Sequence, residues 1–145
     1  MNEPLAYGQS DMSFQTAGGE AGIRRLVDRF YDLMEARSDT VRIRDMHPDD
    51  LTVSRDKLTL FLCGWLGGPR LYNKKYGGIS IPGVHAHLDI GSTERDAWLA
   101  CMTAAVDEQP WDPAFKRYLM DQLAVPAERI REVIARMKQQ QSEQE

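Results

Sequence analysis

The sequence predicts an all-α fold on three observations. Apolar residues recur at the three-and-four spacing of a helix face in four separate stretches, no stretch alternates with the two-residue period of a strand, and strong stop signals divide the helical stretches. The length of 145 residues suits one domain. Hydrophobic residues at 42% supply a core, and charged residues at 28% are ordinary globular usage, which excludes wholesale disorder.

The elements follow in order. Residues to about Phe14 are polar and without period, so 1–14 is expected to be a flexible arm. From Gly19, the residues Ile23, Leu26, Val27, Phe30, Tyr31 and Met34 form one helical face, with Arg24, Arg25, Asp28, Arg29 and Asp32 opposite. A polar bridge over 37–50 contains His47-Pro48, a pair that stops a helix. A second helix beginning near Thr52 stacks Leu58, Phe61, Leu62, Trp65 and Leu66 and ends at Gly67-Gly68-Pro69. Residues 67–92 are rich in turn formers and predict an irregular loop with at most a short helix around His85. Ser92 or Thr93 starts a helix bearing Trp98, Cys101, Met102, Ala105 and Val106. Phe115, Tyr118, Leu119 and Leu123 mark a last helical region, which meets Pro126 and resumes with Ile130, Val133, Ile134 and Met137. The domain is expected to span 15–137, followed by a polar tail over 138–145.

Charge and cysteine usage narrow the function classes. A net charge of -4 gives no general attraction for nucleic acid or anionic lipid. No apolar run approaches the roughly 20 residues of a membrane span, and the first residues carry neither a basic start nor an apolar stretch, so a cytoplasmic protein without membrane or nucleic-acid partners is expected. Cys63 and Cys101 stand far apart without metal-ligand spacing, so an unbridged pair is expected.

A loop as long as 67–92 is rarely idle in so small a domain. It holds His85, His87 and Asp89, a His-x-His-x-Asp run that binds a divalent metal if extended and is otherwise a pair of solvated histidines. Tyr31 and Trp98 each carry a hydrogen-bond donor in the middle of an apolar helical face. Such donors either meet backbone carbonyls in the core or converge on a ligand in an apolar pocket. His47 is a third polar group near that face.

The segments GGEAGIRRLVDRFYDLM, MHPDDL, LFLCGWLGGPRLY and VHAHLDIGSTERDAWLACM, in this order and spacing, resemble the group II truncated haemoglobins over about 17–125. The resemblance implies a two-over-two helical sandwich holding haem b (iron protoporphyrin IX), with His85 as the iron ligand and His87 its neighbour. It implies a five-coordinate iron that binds dioxygen, CO or NO, faced by Tyr31 and Trp98 as hydrogen-bond donors. Leu58, Phe61 and Leu62 match the apolar wall of the distal helix, and Lys57 and Tyr72 match positions that meet the haem propionates. His47 departs from the tyrosine or phenylalanine usual in the family and so alters the distal network. Oxygen binding or transport, NO detoxification and peroxidase-like turnover with an unidentified electron donor are the activities this implies, in a monomer or homodimer. The competing expectation is a non-haem metal or small-ligand module built on His85, His87 and Asp89.

Overall fold

The computed structural model describes residues 7–78, 88 and 90–144, the last four by backbone alone. Seven α-helices occur among the described residues: α1 (Met12–Thr16), α2 (Gly19–Ala36), α3 (Val41–Asp45), α4 (Thr52–Trp65), α5 (Leu71–Tyr76), α6 (Ser92–Asp107) and α7 (Pro113–Gln144). A 3-10 turn at Ser38–Thr40 links α2 to α3. No strand occurs among the described residues. The helix pair α2 and α4 packs on the pair α6 and α7, chiefly where α2 meets α6, which is the expected two-over-two sandwich.

The core lies between the pairs. Phe30, Leu26 and Met34 from α2 meet Leu62 and Cys63 from α4, Cys101, Met102 and Val106 from α6, and Phe115 and Leu119 from α7. Burying each large apolar side chain contributes about 1.5–3 kcal/mol, so the face of α2 fixes the stacking order more than any polar contact does. Cys63 and Cys101 are both buried and unbridged. Cys63, which is not among the residues that the sequence stacks along α4, turns inward, and Cys101 Sγ donates to the Phe30 carbonyl at 3.4 Å. Burial pushes both thiols up to about 11, which keeps them protonated and unreactive.

The ends of α4 are set by local chemistry. Asp50 accepts from the Thr52 backbone N–H at 2.9 Å and the Thr52 hydroxyl at 2.7 Å, ordering the entry to the helix. At the exit, Gly67 has φ +92, its N–H donates to the Gly64 carbonyl, and the Gly68 N–H donates to the Cys63 carbonyl. This paired closure needs the left-handed backbone that glycine supplies at no steric cost. It stops α4 and turns the chain into α5.

Four segments are more ordered than their sequence predicts, the first being residues 7–14 of the expected arm, where α1 begins and Tyr7 lies edge-on to Phe115 at 5.2 Å. The polar bridge contains the 3-10 turn and α3, and its Thr40 hydroxyl is buried and donates to the Met34 carbonyl at 2.6 Å. The first part of the long loop contains α5. The last helix runs unbroken through Pro126 instead of restarting there. A proline inside a helix costs about 3 kcal/mol, a penalty offset by buried Leu123 before it and Ile134 after it. The backbone of α7 also extends through 138–144. No helix is long and apolar enough to cross a membrane among the described residues.

Candidate functional site

Tyr31 of α2 and Trp98 of α6 meet through one buried ring, and His47 of the α3–α4 connection lies against Tyr31. Trp98 lies edge-on to Phe30 with centroids 5.2 Å apart, Phe30 to Tyr31 at 5.1 Å, and Tyr31 to His47 at 5.6 Å. Phe30 is thus the partition that sets the spacing between the two donors. Edge-to-face contacts of this kind hold aromatic rings at defined angles. Two polar contacts fix the outer members. His47 Nδ1 lies 2.8 Å from the Ile43 carbonyl, and because a carbonyl only accepts, Nδ1 carries the proton. Arg42 of α3 pairs with Glu94 of α6 at 3.2 Å, one turn before Trp98, which ties the segment leading to His47 to the helix of Trp98.

Tyr31 is 5% exposed, yet its hydroxyl has no hydrogen-bond partner among the described residues; the same holds for the Trp98 indole N–H. No fully enclosed side-chain nitrogen or oxygen among the described residues lacks a partner. The Tyr31 hydroxyl therefore borders accessible space at the end of an otherwise buried ring. Burial pushes the phenol up to about 12, with the charge of Arg55 acting in the opposite direction, so at neutral pH it is a protonated donor.

Helix α4 has two faces. Leu62, Cys63 and, just past its end, Leu66 are buried against the core, while Leu58, Phe61 and Trp65 are only half-buried. An apolar face left partly open on a helix packed against the one that carries Tyr31 is a surface a largely apolar ligand can cover. Leu62, expected on the open wall, is 1% exposed and belongs to the core behind it. Phe61 and Trp65 continue, with Tyr72 and Arg70, into a hollow of about 200 Å³ beyond the C-terminal end of α4. Lys57 sits 5.2 Å over the ring of Tyr76, which is tilted against Tyr72 at 5.2 Å. Lys57 and Tyr72 are thus brought to one edge of the site through Tyr76.

Asp56 anchors that edge. Its carboxylate accepts from Lys75 Nζ at 2.7 Å, Tyr76 Oη at 2.7 Å and Arg24 at 3.3 Å, joining α4, α5 and α2. Hydrogen bonds from Lys75 and then Tyr76 hold the carboxyl down at about 2 against partial desolvation. A folded-state value below the unfolded one contributes stability that is present above pH about 4 and is lost as pH falls toward about 2. Asp56→Asn should destabilise the protein by about 1–2 kcal/mol at pH 7, since the anchor is only one-fifth exposed. Unfolding curves of the two proteins should converge between pH 4 and 2; a constant gap across that range would show that the charge is not the source.

His85, His87 and Asp89, and the short helix expected around His85, lie outside the described residues. The residue missed from sequence is Arg55. Its guanidinium sits 5.7 Å from the Tyr31 ring centroid and donates to the Asp28 carbonyl at 2.9 Å, to Asp28 Oδ1 at 3.3 Å and to Asp32 Oδ1 at 2.8 Å. A signal existed: Asp28, Asp32 and Glu35 form an acidic stripe along α2 on either side of Tyr31, and such a stripe calls for a cation from a neighbouring helix.

The bacterial-like globin family model matches residues 12–140. The group 2 truncated hemoglobin YjbI of Bacillus subtilis (strain 168) is 32% identical over 120 residues, covering 83% of this chain and 89% of that protein. Among solved structures, the group II 2-on-2 hemoglobin of Agrobacterium tumefaciens superposes with a TM-score of 0.79 at 32% identity, covering 90% of this chain and 97% of the other. The truncated oxygen-avid haemoglobin of Bacillus subtilis superposes at 0.74 with 30% identity, covering 81% and 97% respectively. Sequence, fold and the aromatic cluster agree, and the chain belongs to the bacterial-like globin family, within its group II truncated haemoglobins.

Proposed function

We propose that the protein binds haem b against the open face of α4 and uses it to hold dioxygen, CO or NO. The observation that carries this reading is the Tyr31 hydroxyl: a buried phenol with no protein partner among the described residues, on a ring linked through Phe30 to the half-buried indole of Trp98. A flat apolar macrocycle would lie on the half-buried Leu58 and Phe61, backed by Leu62, and Lys57 and Tyr72, joined through Tyr76, are the groups that would meet its propionates. His85 is the iron ligand in this reading. When bound, haem supplies reversible coordination of a diatomic gas and redox chemistry.

The chain's own residues set the rest. Tyr31 Oη and Trp98 Nε1 donate to the gas ligand, and Phe30 holds the two donors apart. His47 acts differently, because its Nδ1 proton is committed to the Ile43 carbonyl. Its Nε2 accepts while the ring is neutral and donates only when the ring is protonated. Turnover of NO with dioxygen, or of peroxide, would draw on the same donors and on proton transfer by His47, with electrons from an unidentified donor. The oxygen-avid character stated for the Bacillus subtilis relative accords with a site rich in donors.

The experiment is an absorption spectrum of the purified, haem-reconstituted protein. A Soret band that shifts with CO supports the reading, and its absence would transfer the site to a non-haem metal held by His85, His87 and Asp89. Stopped-flow dioxygen release then tests the donors. Tyr31→Phe keeps the ring and deletes one hydrogen bond worth about 1 kcal/mol, so release should quicken about fivefold. Trp98→Phe should act in the same direction. His47→Phe removes the imidazole that lies 5.6 Å from the Tyr31 ring and should also change dioxygen release. Unchanged release in His47→Phe would leave the histidine a purely structural role.

A further inference from the structure

We infer that Arg55 is a positioning residue for Tyr31, holding the phenol as an oriented hydrogen-bond donor through the acidic stripe of α2. The inference rests on the haem reading for its consequence and on separate geometry for its cause. Arg55 comes from the first turn of α4 and lies along α2. There its two terminal nitrogens are taken by Asp28 and Asp32, with Glu35 at 3.8 Å. These acids sit three residues before, one after and four after Tyr31, so the guanidinium is drawn alongside the Tyr31 ring and cannot swing away without breaking its contacts with all three. At 5.7 Å from the centroid it lies within cation–π range. The ring is thereby gripped from two elements: Arg55 on α4, and His47 on the α3–α4 connection.

The charge also has a sign that matters. Burial makes the phenol's proton harder to give, which weakens it as a donor, and the positive charge of Arg55 acts against that effect. An uncharged side chain at position 55 would leave the stripe uncompensated beside Tyr31 and remove one wall of its ring. Arg55 touches no ligand in this scheme. It acts through Tyr31, so its influence must vanish when the phenol is removed.

The test compares Arg55→Met, Arg55→Lys, Tyr31→Phe and the Arg55→Met/Tyr31→Phe double variant. In Arg55→Met, dioxygen release should quicken about threefold, and the C–O stretch after CO addition should move to higher frequency. Arg55→Lys, which keeps the charge but loses the fork, should fall between. Neither quantity should differ between Tyr31→Phe and the double variant. In protein labelled with carbon-13 at tyrosine Cζ, the Tyr31 resonance, assigned by its loss in Tyr31→Phe, should shift in Arg55→Met. If Arg55→Met fails to fold, Arg55→Lys and Asp32→Asn carry the comparison. An Arg55→Met effect that persists in the Tyr31→Phe background, or an unmoved Cζ resonance, would overturn the inference. Absence of a Soret band in the parent protein would sink the haem reading instead, while the Cζ resonance still decides whether Arg55 governs Tyr31.

Discussion

Haem should be lost from His85→Ala and kept by His87→Ala. The two imidazoles are separated by one residue, and the sequence expectation of a short helix around His85 would make them diverge by roughly 200°, leaving one to face the cofactor. The family resemblance selects His85 by its spacing ahead of Glu94-Arg95-Asp96-Ala97-Trp98. Partners that merely hydrogen-bond a metal-bound histidine are worth roughly 10- to 100-fold in affinity, so removing the ligand itself should cost more than about 100-fold. His85→Ala should therefore shed its Soret absorbance during gel filtration, while His87→Ala should elute with it. The reverse outcome would move the iron ligand to His87. Uptake of a divalent metal that needs both histidines, with no Soret band in the parent protein, would establish the competing metal site with Asp89.

What could be read from the sequence follows from how each feature is encoded. The helices α2, α4 and α6 were legible because a buried face imposes a period, and Ile23, Leu26, Val27 and Phe30 obey it without exception. Tyr31 and Trp98 stood out because a donor on an apolar face demands an explanation. The interior of 37–50 was not legible, since α3 has a single buried apolar residue, Ile43, and is held by ties such as Arg42 to Glu94 that join residues 52 positions apart. Arg55 was missed for the same reason. Its partners lie 27 and 23 residues earlier, and nothing in a window around position 55 marks it. The division of α4 into a packed and an open face was half legible: the sequence groups Leu58, Phe61 and Leu62 together, whereas the core encloses Leu62 and leaves the other two partly open.

The other large effect is on stability, at the corner where α1 meets α2. Gly22 is buried, and a Cβ built there would stand 1.8 Å from the Ala17 carbonyl oxygen and 2.9 Å from its carbon. The obstacle is backbone, so no rotamer change relieves it. Ala17 is itself fully buried, with its N–H bonded to the Ser13 carbonyl at 3.0 Å, so the corner has no room to retreat. Gly22→Ala gains up to about 1 kcal/mol of helix propensity. Overpacking against an immovable group costs about 1–3 kcal/mol and sometimes more, and with the approach at 1.8 Å the upper end wins. A net loss of about 2 kcal/mol should lower Tm by roughly 5–10 °C in a domain of this size. Tyr31 lies nine residues farther along α2, about 13 Å away, so the folded variant should release dioxygen at close to the parent rate. Tyr31→Phe should show the opposite pattern, with fast release and a nearly normal Tm. Thermal melting and stopped-flow release on the same two variants separate the corner that builds α2 from the hydroxyl that α2 presents. A parent-like Tm in Gly22→Ala would mean that α1 is not seated against α2 in this way.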